Sequence, residues 1–263
     1  MRLPVSLTLT LLLLAGNAMA QEPLPKLELG IGALAISIPD YRGSSDSSFY
    51  LLPIPYIKYR GDHVRVDDGA QGIFFESEDL SLSLSSNLAL AGDEDTPERK
   101  GMDDVDPLLE IGPTINYRFH RFRHSGLWLE LPLRFAYTLD SDFDRVGEVF
   151  EPRLSWRKPA TRLGEWKLRF NIGPLFASKD YHDYFYSVGS EDATRSRPAY
   201  EADSGYSGYR SQFSYSKRIG SYWLGGFIRY DNLHGSVIED SPLVSEKESW
   251  MGGVALAWVF YQK

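Results

Sequence analysis

From residue 80 the chain reads LSLSLSSNLALA. Leu80, Leu82, Leu84, Leu88 and Leu90 fall on one face, and Ser81, Ser83, Ser85 and Asn87 on the other. A period of two is the signature of a strand with one apolar and one polar face. Residues 126–139 repeat the pattern, with Leu127, Leu129, Leu131, Leu133, Phe135, Tyr137 and Leu139 alternating with Glu130, Arg134 and Thr138. In residues 166–177, Trp166, Leu168, Phe170 and Ile172 alternate with Lys167, Arg169 and Asn171. The last segment sets Trp250, Val254, Leu256, Trp258 and Phe260 against Gly253, Ala255 and Ala257.

A soluble β-sandwich alternates too, but three features exclude it. The segments approach the 9–11 residues that a tilted membrane-spanning strand needs. Aromatics (Phe119, Tyr137, Trp166, Trp258) recur at the ends of the apolar faces, where interfacial girdles lie. The polar faces carry charges in mid-strand: Glu110, Glu130, Arg134, Glu151, Arg153, Lys167, Arg169 and Arg229. A sandwich core does not hold unpaired charges, whereas a hydrated or ion-paired barrel lumen does. The predicted fold is therefore all-β, a transmembrane antiparallel up-and-down β-barrel.

Loop length sets the count, because bacterial barrels carry short periplasmic turns, long outer loops and periplasmic termini. Long connections are read near 39–48, 92–106, 140–147, 178–205 and 234–247. Short ones are read near Gly61-Asp62, 77–79, 119–125, 158–165 and 217–221. All the long ones fall on one side only if residues 63–76 form two short strands broken near Asp68-Gly69, which gives twelve strands. Ten is the alternative. Pro53, Pro55, Pro113, Pro132, Pro152 and Pro174 resist the scheme, since a closed barrel has no free edge and each costs a ladder bond or forces a bulge.

The start of the chain reads as a secretory leader over residues 1–20: Arg2, an apolar run from Leu3 to Leu14, and Ala18-Met19-Ala20 before the cut. The barrel domain is then 21–263. The apolar run is short of the roughly 20 residues that span a bilayer. Mean hydropathy is −0.30, which fits a barrel whose lipid face takes only every second residue. The chain has no cysteine, so its stability rests on pairing and packing. A net charge of −8 excludes a basic nucleic-acid surface. The expected location is the outer membrane, against lipid and lipopolysaccharide.

Catalytic chemistry is sparse. No G-x-S-x-G, H-E-x-x-H or P-loop pattern occurs. His120 and His124, with Arg121 and Arg123, read as a solvated basic turn. His182, beside Asp183 and near Ser178, Ser187 and Ser190, is the sole candidate base of a lipid hydrolase, but no spacing singles out its partner. The acidic stretch 92–106 lacks the EF-hand order and reads as a solvated loop. No catalytic, cofactor or metal site is expected. Tyr181, Tyr184, Tyr186 and Tyr200 in the longest loop suit adaptable contacts or closure of the lumen. Glu130, Arg134, Lys167 and Arg169 line the lumen as a path or as a paired plug.

The loops carry a family resemblance. Pro39-Asp40-Tyr41-Arg42-Gly43-Ser44 follows the first strand, then Leu52-Pro53-x-Pro55-Tyr56 and Tyr59-Arg60. Gly101-x-x-Asp104-Val105-Asp106-Pro107, Tyr181-x-x-Tyr184-x-Tyr186-x-Val188, Tyr200-x-Ala202-x-x-Gly205 and Ser241-Pro242 come after. In this order the chain resembles the MltA-interacting (MipA/OmpV) family of outer-membrane proteins. The resemblance implies a non-enzymatic scaffold joining a murein lytic transglycosylase to a penicillin-binding protein. A narrow or substrate-specific pore and a surface adhesin or antigen are the alternatives. Asp40 and Tyr41 join the tyrosines as candidate contact residues. Family members have no agreed catalytic residues to carry over.

Overall fold

The computed structural model describes residues 24–67, 70–89, 96–103, 105–140 and 143–263. The expected leader, the Asp68-Gly69 break, Leu90, Asp104 and much of the acidic stretch lie outside the described residues. The chain opens with β1 (Leu27–Pro39), β2 (Ser47–Arg60), β3 (Val64–Val66), β4 (Ala70–Glu76) and β5 (Leu80–Ala89). β6 (Leu108–Arg121), β7 (Gly126–Thr138), β8 (Arg145–Phe150), β9 (Arg153–Lys158) and β10 (Trp166–Ala177) follow. A short helix, α1 (Lys179–Tyr186), precedes β11 (Gly205–Ile219), β12 (Tyr222–Asn232) and β13 (Glu248–Gln262).

Apart from β8 and β9, each strand pairs antiparallel with its sequence neighbours, and β13 pairs with β1, so the ring closes. β8 and β9 share one place in it, since both lie between β7 and β10 and are parted only by Glu151-Pro152. Among the described residues thirteen segments thus occupy twelve positions, with residues 63–76 split into two short strands as the loop lengths required. The ten-strand alternative falls.

The outward face is the apolar one. Phe49 is 70% exposed, Trp250 60% and Phe260 57%. A water-soluble monomer rarely shows so continuous an apolar belt. Aromatic rings gather at both rims: Trp166, Tyr222, Trp258 and Phe260 where the short turns are, and Tyr137, Phe143, Tyr230 and Trp250 where the long loops are. The two rims are the turn end, which also holds the start of β1 and the end of β13, and the loop end.

The prolines are accommodated in different ways. Pro174 sits at a register shift of β10 against β11, and Pro152 in the break between β8 and β9. The β6–β7 ladder skips Gly112 and Pro113. Pro132 turns the edge with its missing donor toward the break between β8 and β9, where its carbonyl accepts from Glu151 N at 3.2 Å. Pro53 and Pro55 are different. β2 stays in register with β1 through both, while its opposite edge meets β3 only at Tyr59 and Arg60. Two residues apart, they share an edge, and their missing donors fall on the one without a partner.

Two expectations on connections are corrected. β6 runs on to Arg121, so His120 and Arg121 are strand residues paired with Leu127 and Gly126, and the turn is only 122–125. The ladder absorbs a bulge between Arg118 and His120, which lengthens the strand past the point where alternation fades. The long loop 178–205 also contains the helix α1, which alternation does not reveal. Ser178 Oγ caps it, accepting from Tyr181 N. Gly147 of β8, at φ +146°, lets the helix start lie against the strand: a Cβ there would stand 2.6 Å from Tyr181 N.

Candidate functional site

The lumen is organised in three levels. At the loop end α1 folds inward and buries Tyr181, Phe185 and Tyr186 against Leu108, Val149, Leu175, Leu233 and Ile238. Tyr41 packs edge-on against Tyr186 with centroids 6.5 Å apart, and its hydroxyl donates to the Leu243 carbonyl at 2.6 Å. Tyr186 OH donates to the Arg42 carbonyl at 2.9 Å, and Ser241 Oγ donates to the Tyr186 carbonyl at 2.6 Å. Burial, against the pull of Arg42, pushes the Tyr186 phenol up to about 12, so it stays a neutral donor. Asp40 accepts from Ser48 Oγ at 2.9 Å, and the Asp106 N–H donates to Tyr184 OH at 2.8 Å.

Below this cap the charges meet in one network. Glu130, 1% exposed, takes Arg153 at 2.8 Å, Arg157 at 2.5 Å and Arg169 at 2.7 Å. Arg153 also lies 3.5 Å from Glu151, which faces Arg134 at 3.2 Å and Arg210 at 3.8 Å. Arg134 reaches Glu110 at 3.7 Å, and Tyr181 OH donates to that carboxylate at 3.1 Å, tying the network to the cap. Arg210 continues to Asp231 at 2.9 Å. Strand alternation puts the strand residues among them inward, Glu151 joins from the break between β8 and β9, and the tilt of neighbouring strands brings opposite signs level.

At the turn end Glu28 holds Arg60 and Arg218, each at 3.0 Å. Asp67, just past β3, pairs with Lys58 at 2.8 Å and with Lys167 across the lumen. Between this level and the network lies a cavity of about 460 Å³.

Of the residues singled out from the sequence, Glu130, Arg134, Lys167 and Arg169 therefore face the lumen. Asp40, Tyr41, Tyr181, Tyr184 and Tyr186 belong to the cap. His120, Arg121, Arg123 and His124 are exposed at the turn end, where Arg121 pairs with Glu78 at 3.1 Å and Asp79 at 3.3 Å. The structure joins the first two sets through Tyr181 and Glu110 and leaves the third apart from them. Glu28, Asp67, Arg210 and Asp231 were not read as site residues, although each sits at a polar-face position of a charged strand or turn.

His182 has no catalytic geometry. It is fully buried, its Nδ1 lies 2.5 Å from the Asp203 carbonyl, and its Nε2 has no partner among the described residues. Ser187 Oγ is committed to Asp183 and to the Ala202 N–H instead. Burial lowers the His182 pKa below its ordinary 6.5, with the Asp203 carbonyl pulling part of the way back. The unfolded loop therefore takes up protons first. The stability His182 lends to the cap is complete above pH 6.5 and is lost as pH falls through 6.5 toward the lower folded value. Limited proteolysis of residues 178–204 is expected to run faster at pH 5 than at pH 7.5. In His182→Gln the two rates should converge. Equal rates in the native protein would exclude the coupling.

A closed antiparallel ring, an apolar belt between aromatic rims and a capped, ion-paired lumen define an outer-membrane β-barrel. The chain belongs to the MltA-interacting protein MipA family, whose model matches residues 31–260. It is 25% identical to the putative outer membrane protein YiaT of Escherichia coli over 92% of this chain and 94% of that one. It is 30% identical to outer membrane protein OmpV of Vibrio cholerae over 34% of each chain. Among solved structures it is similar to outer membrane protein OprG of Pseudomonas aeruginosa, covering 91% of this chain and 95% of that one. That likeness has a TM-score of 0.24 and 8% identity, too distant to carry an argument. The relatives' names and the barrel agree on the outer membrane as its location.

Proposed function

We propose that this barrel is a non-catalytic scaffold that holds a murein lytic transglycosylase and a penicillin-binding protein beside the cell wall through its turn end. The observation that carries the reading is the filling of the lumen. A cap of buried aromatics and an ion-paired network occupy its loop-end half, above the cavity, so the polar surface open to a protein partner lies at the two rims. The family's name supplies the class of partner. In bacterial barrels the short turns and termini face the periplasm, where murein enzymes work.

The turn end offers a charged rim. Arg118 and Arg121 pair with Asp79 and Glu78, and Arg123 and His124 project beyond them. Its turns are short, so the contact is smaller than the roughly 1,200–2,000 Å² of a stable interface, and binding is weak and steered by charge. A narrow pore, the other reading, would need a path past the buried aromatics of the cap.

Immobilised refolded barrel is expected to retain a lytic transglycosylase and a penicillin-binding protein from a detergent extract, relative to an unrelated barrel. Arg121→Glu with Arg123→Glu should lower that retention several-fold at low salt. Retention of neither enzyme by the native barrel would end the scaffold reading.

A further inference from the structure

The wall of the barrel is not paired over its full height. β3 and β4 form a hairpin that fills it only at the turn end: β2 meets β3 at Tyr59 and Arg60, and β5 meets β4 from Ser81 to Ser85. Above the hairpin, among the described residues, β2 from Ser47 to Lys58 pairs only with β1, and β5 from Ser86 to Ala89 pairs only with β6. Where the hairpin stands, β2 and β5 are three strand spacings apart, roughly 14 Å at the usual sheet spacing. A strand edge normally left unpaired recruits another strand. Here Pro53 and Pro55 remove donors from that edge, which keeps it unpaired. Asp67, at the top of β3, is held in the lumen by Lys58 and Lys167.

The cavity runs out to this gap. Its lining includes Ile54, Pro55 and Ile57 on one lip and Ser86 and Asn87 on the other. Pro55 and Ile57 are exposed on the lipid face. The two walls of the cavity differ in kind. Leu34, Tyr56, Trp223 and Phe227 make an apolar wall near the gap. Seven basic side chains line the whole cavity against two carboxylates, Asp67 and Glu151. Most of the basic groups are held by carboxylates. Arg229 is different: its Nε donates to Gln212 Oε1 at 3.1 Å, and among the described residues no carboxylate lies in ion-pair contact with it. It lines both the cavity and the space beneath the cap.

We propose that the gap between β2 and β5 is a lateral portal through which a long-chain fatty acid enters from the membrane, its tail against the apolar wall and its carboxylate on Arg229. Both ends of such a ligand meet matching chemistry, and the membrane supplies it at the portal. A volume of about 460 Å³ lies within the usual range for small-molecule sites, roughly 300–1,000 Å³. The proposal is independent of the scaffold reading, since the portal opens on the lipid face and the murein enzymes would meet the rim.

The test is binding of a fluorescent long-chain fatty acid to the protein in nanodiscs of zwitterionic lipid, with empty nanodiscs as background. Saturable binding is expected. Arg229→Gln, which removes one bond to Gln212, should weaken it about tenfold or more. It should leave binding of the uncharged monoacylglycerol of the same chain length unchanged. Ile54→Glu, which sets a charge in the tail's path, should weaken both ligands. Heat-modifiable migration of the variants reports that the barrel has formed. No saturable binding above empty discs, or native-like binding by both variants, would overturn the portal. Competition by lysophosphatidate without binding of the fatty acid would overturn the carboxylate ligand.

Discussion

Replacing Glu130 by glutamine is expected to destabilise the barrel by about 3–5 kcal/mol, the range for removing one partner of a buried ionic cluster. The carboxylate is the meeting point of Arg153, Arg157 and Arg169 on two neighbouring strand positions. Glutamine keeps the shape and one acceptor but loses the charge that draws the three guanidiniums together; Arg153 keeps Glu151, and Arg157 and Arg169 keep their neutral acceptors Asn116 and Asn171. Their repulsion acts across β7, β9 and β10, which close this side of the ring. An exposed pair supplies the contrast. Glu76 meets Arg65 at 2.6 Å with both side chains more than a third exposed, so Glu76→Gln should change stability by no more than about 1 kcal/mol. Denaturant unfolding of the refolded proteins in one detergent measures both. If Glu130→Gln unfolds at the same midpoint as Glu76→Gln, the network is not what holds the lumen together.

The same cluster shows what the sequence can and cannot reveal. Alternation in β5, β7, β10 and β13 marks which side chains face lipid, because a strand has only two faces. Loop lengths alone led to the β3–β4 hairpin. Partner choice is another matter. Glu130 draws on Arg153, Arg157 and Arg169 from two later strands, and Glu28 meets Arg218 from the far end of the chain. Those meetings follow from register and strand tilt, which no local pattern encodes. Two prolines left a trace that looked like a contradiction. Pro53 and Pro55 argued against a closed barrel, and the resolution is a ring that closes at the turn end while, among the described residues, the edge of β2 above it has no strand partner. Pro152 likewise marked the break between β8 and β9. The helix α1 left no trace of that kind. Eight residues rich in tyrosine are too few to be helical on intrinsic propensity, so α1 depends on the Ser178 cap and on docking into the barrel mouth.

That dependence makes the cap the place where one truncation should have its greatest effect on access. Tyr186→Ala deletes a ring that is 3% exposed and removes its hydrogen bond to the Arg42 carbonyl. Truncating a buried aromatic costs about 3–5 kcal/mol. The ring of strand pairings contains no residue of α1, so that loss falls on the docking of the helix and not on the barrel. A shift of about 3 kcal/mol raises the undocked population by roughly 100-fold. Because the native chain has no cysteine, Gln212→Cys places a single thiol in the cavity lining, where a charged, membrane-impermeant reagent reports passage from the rims. The thiol is expected to react slowly in the capped barrel and about 100-fold faster when Tyr186→Ala is added, until access by other routes limits the gain. Planar-bilayer conductance of the same pair separates the two ends. Faster labelling without current would mean that the Glu28 and Asp67 clusters still close the turn end after the cap has opened. Labelling at the native rate would mean that α1 is not the barrier at the loop end, and the narrow-pore reading would regain its path.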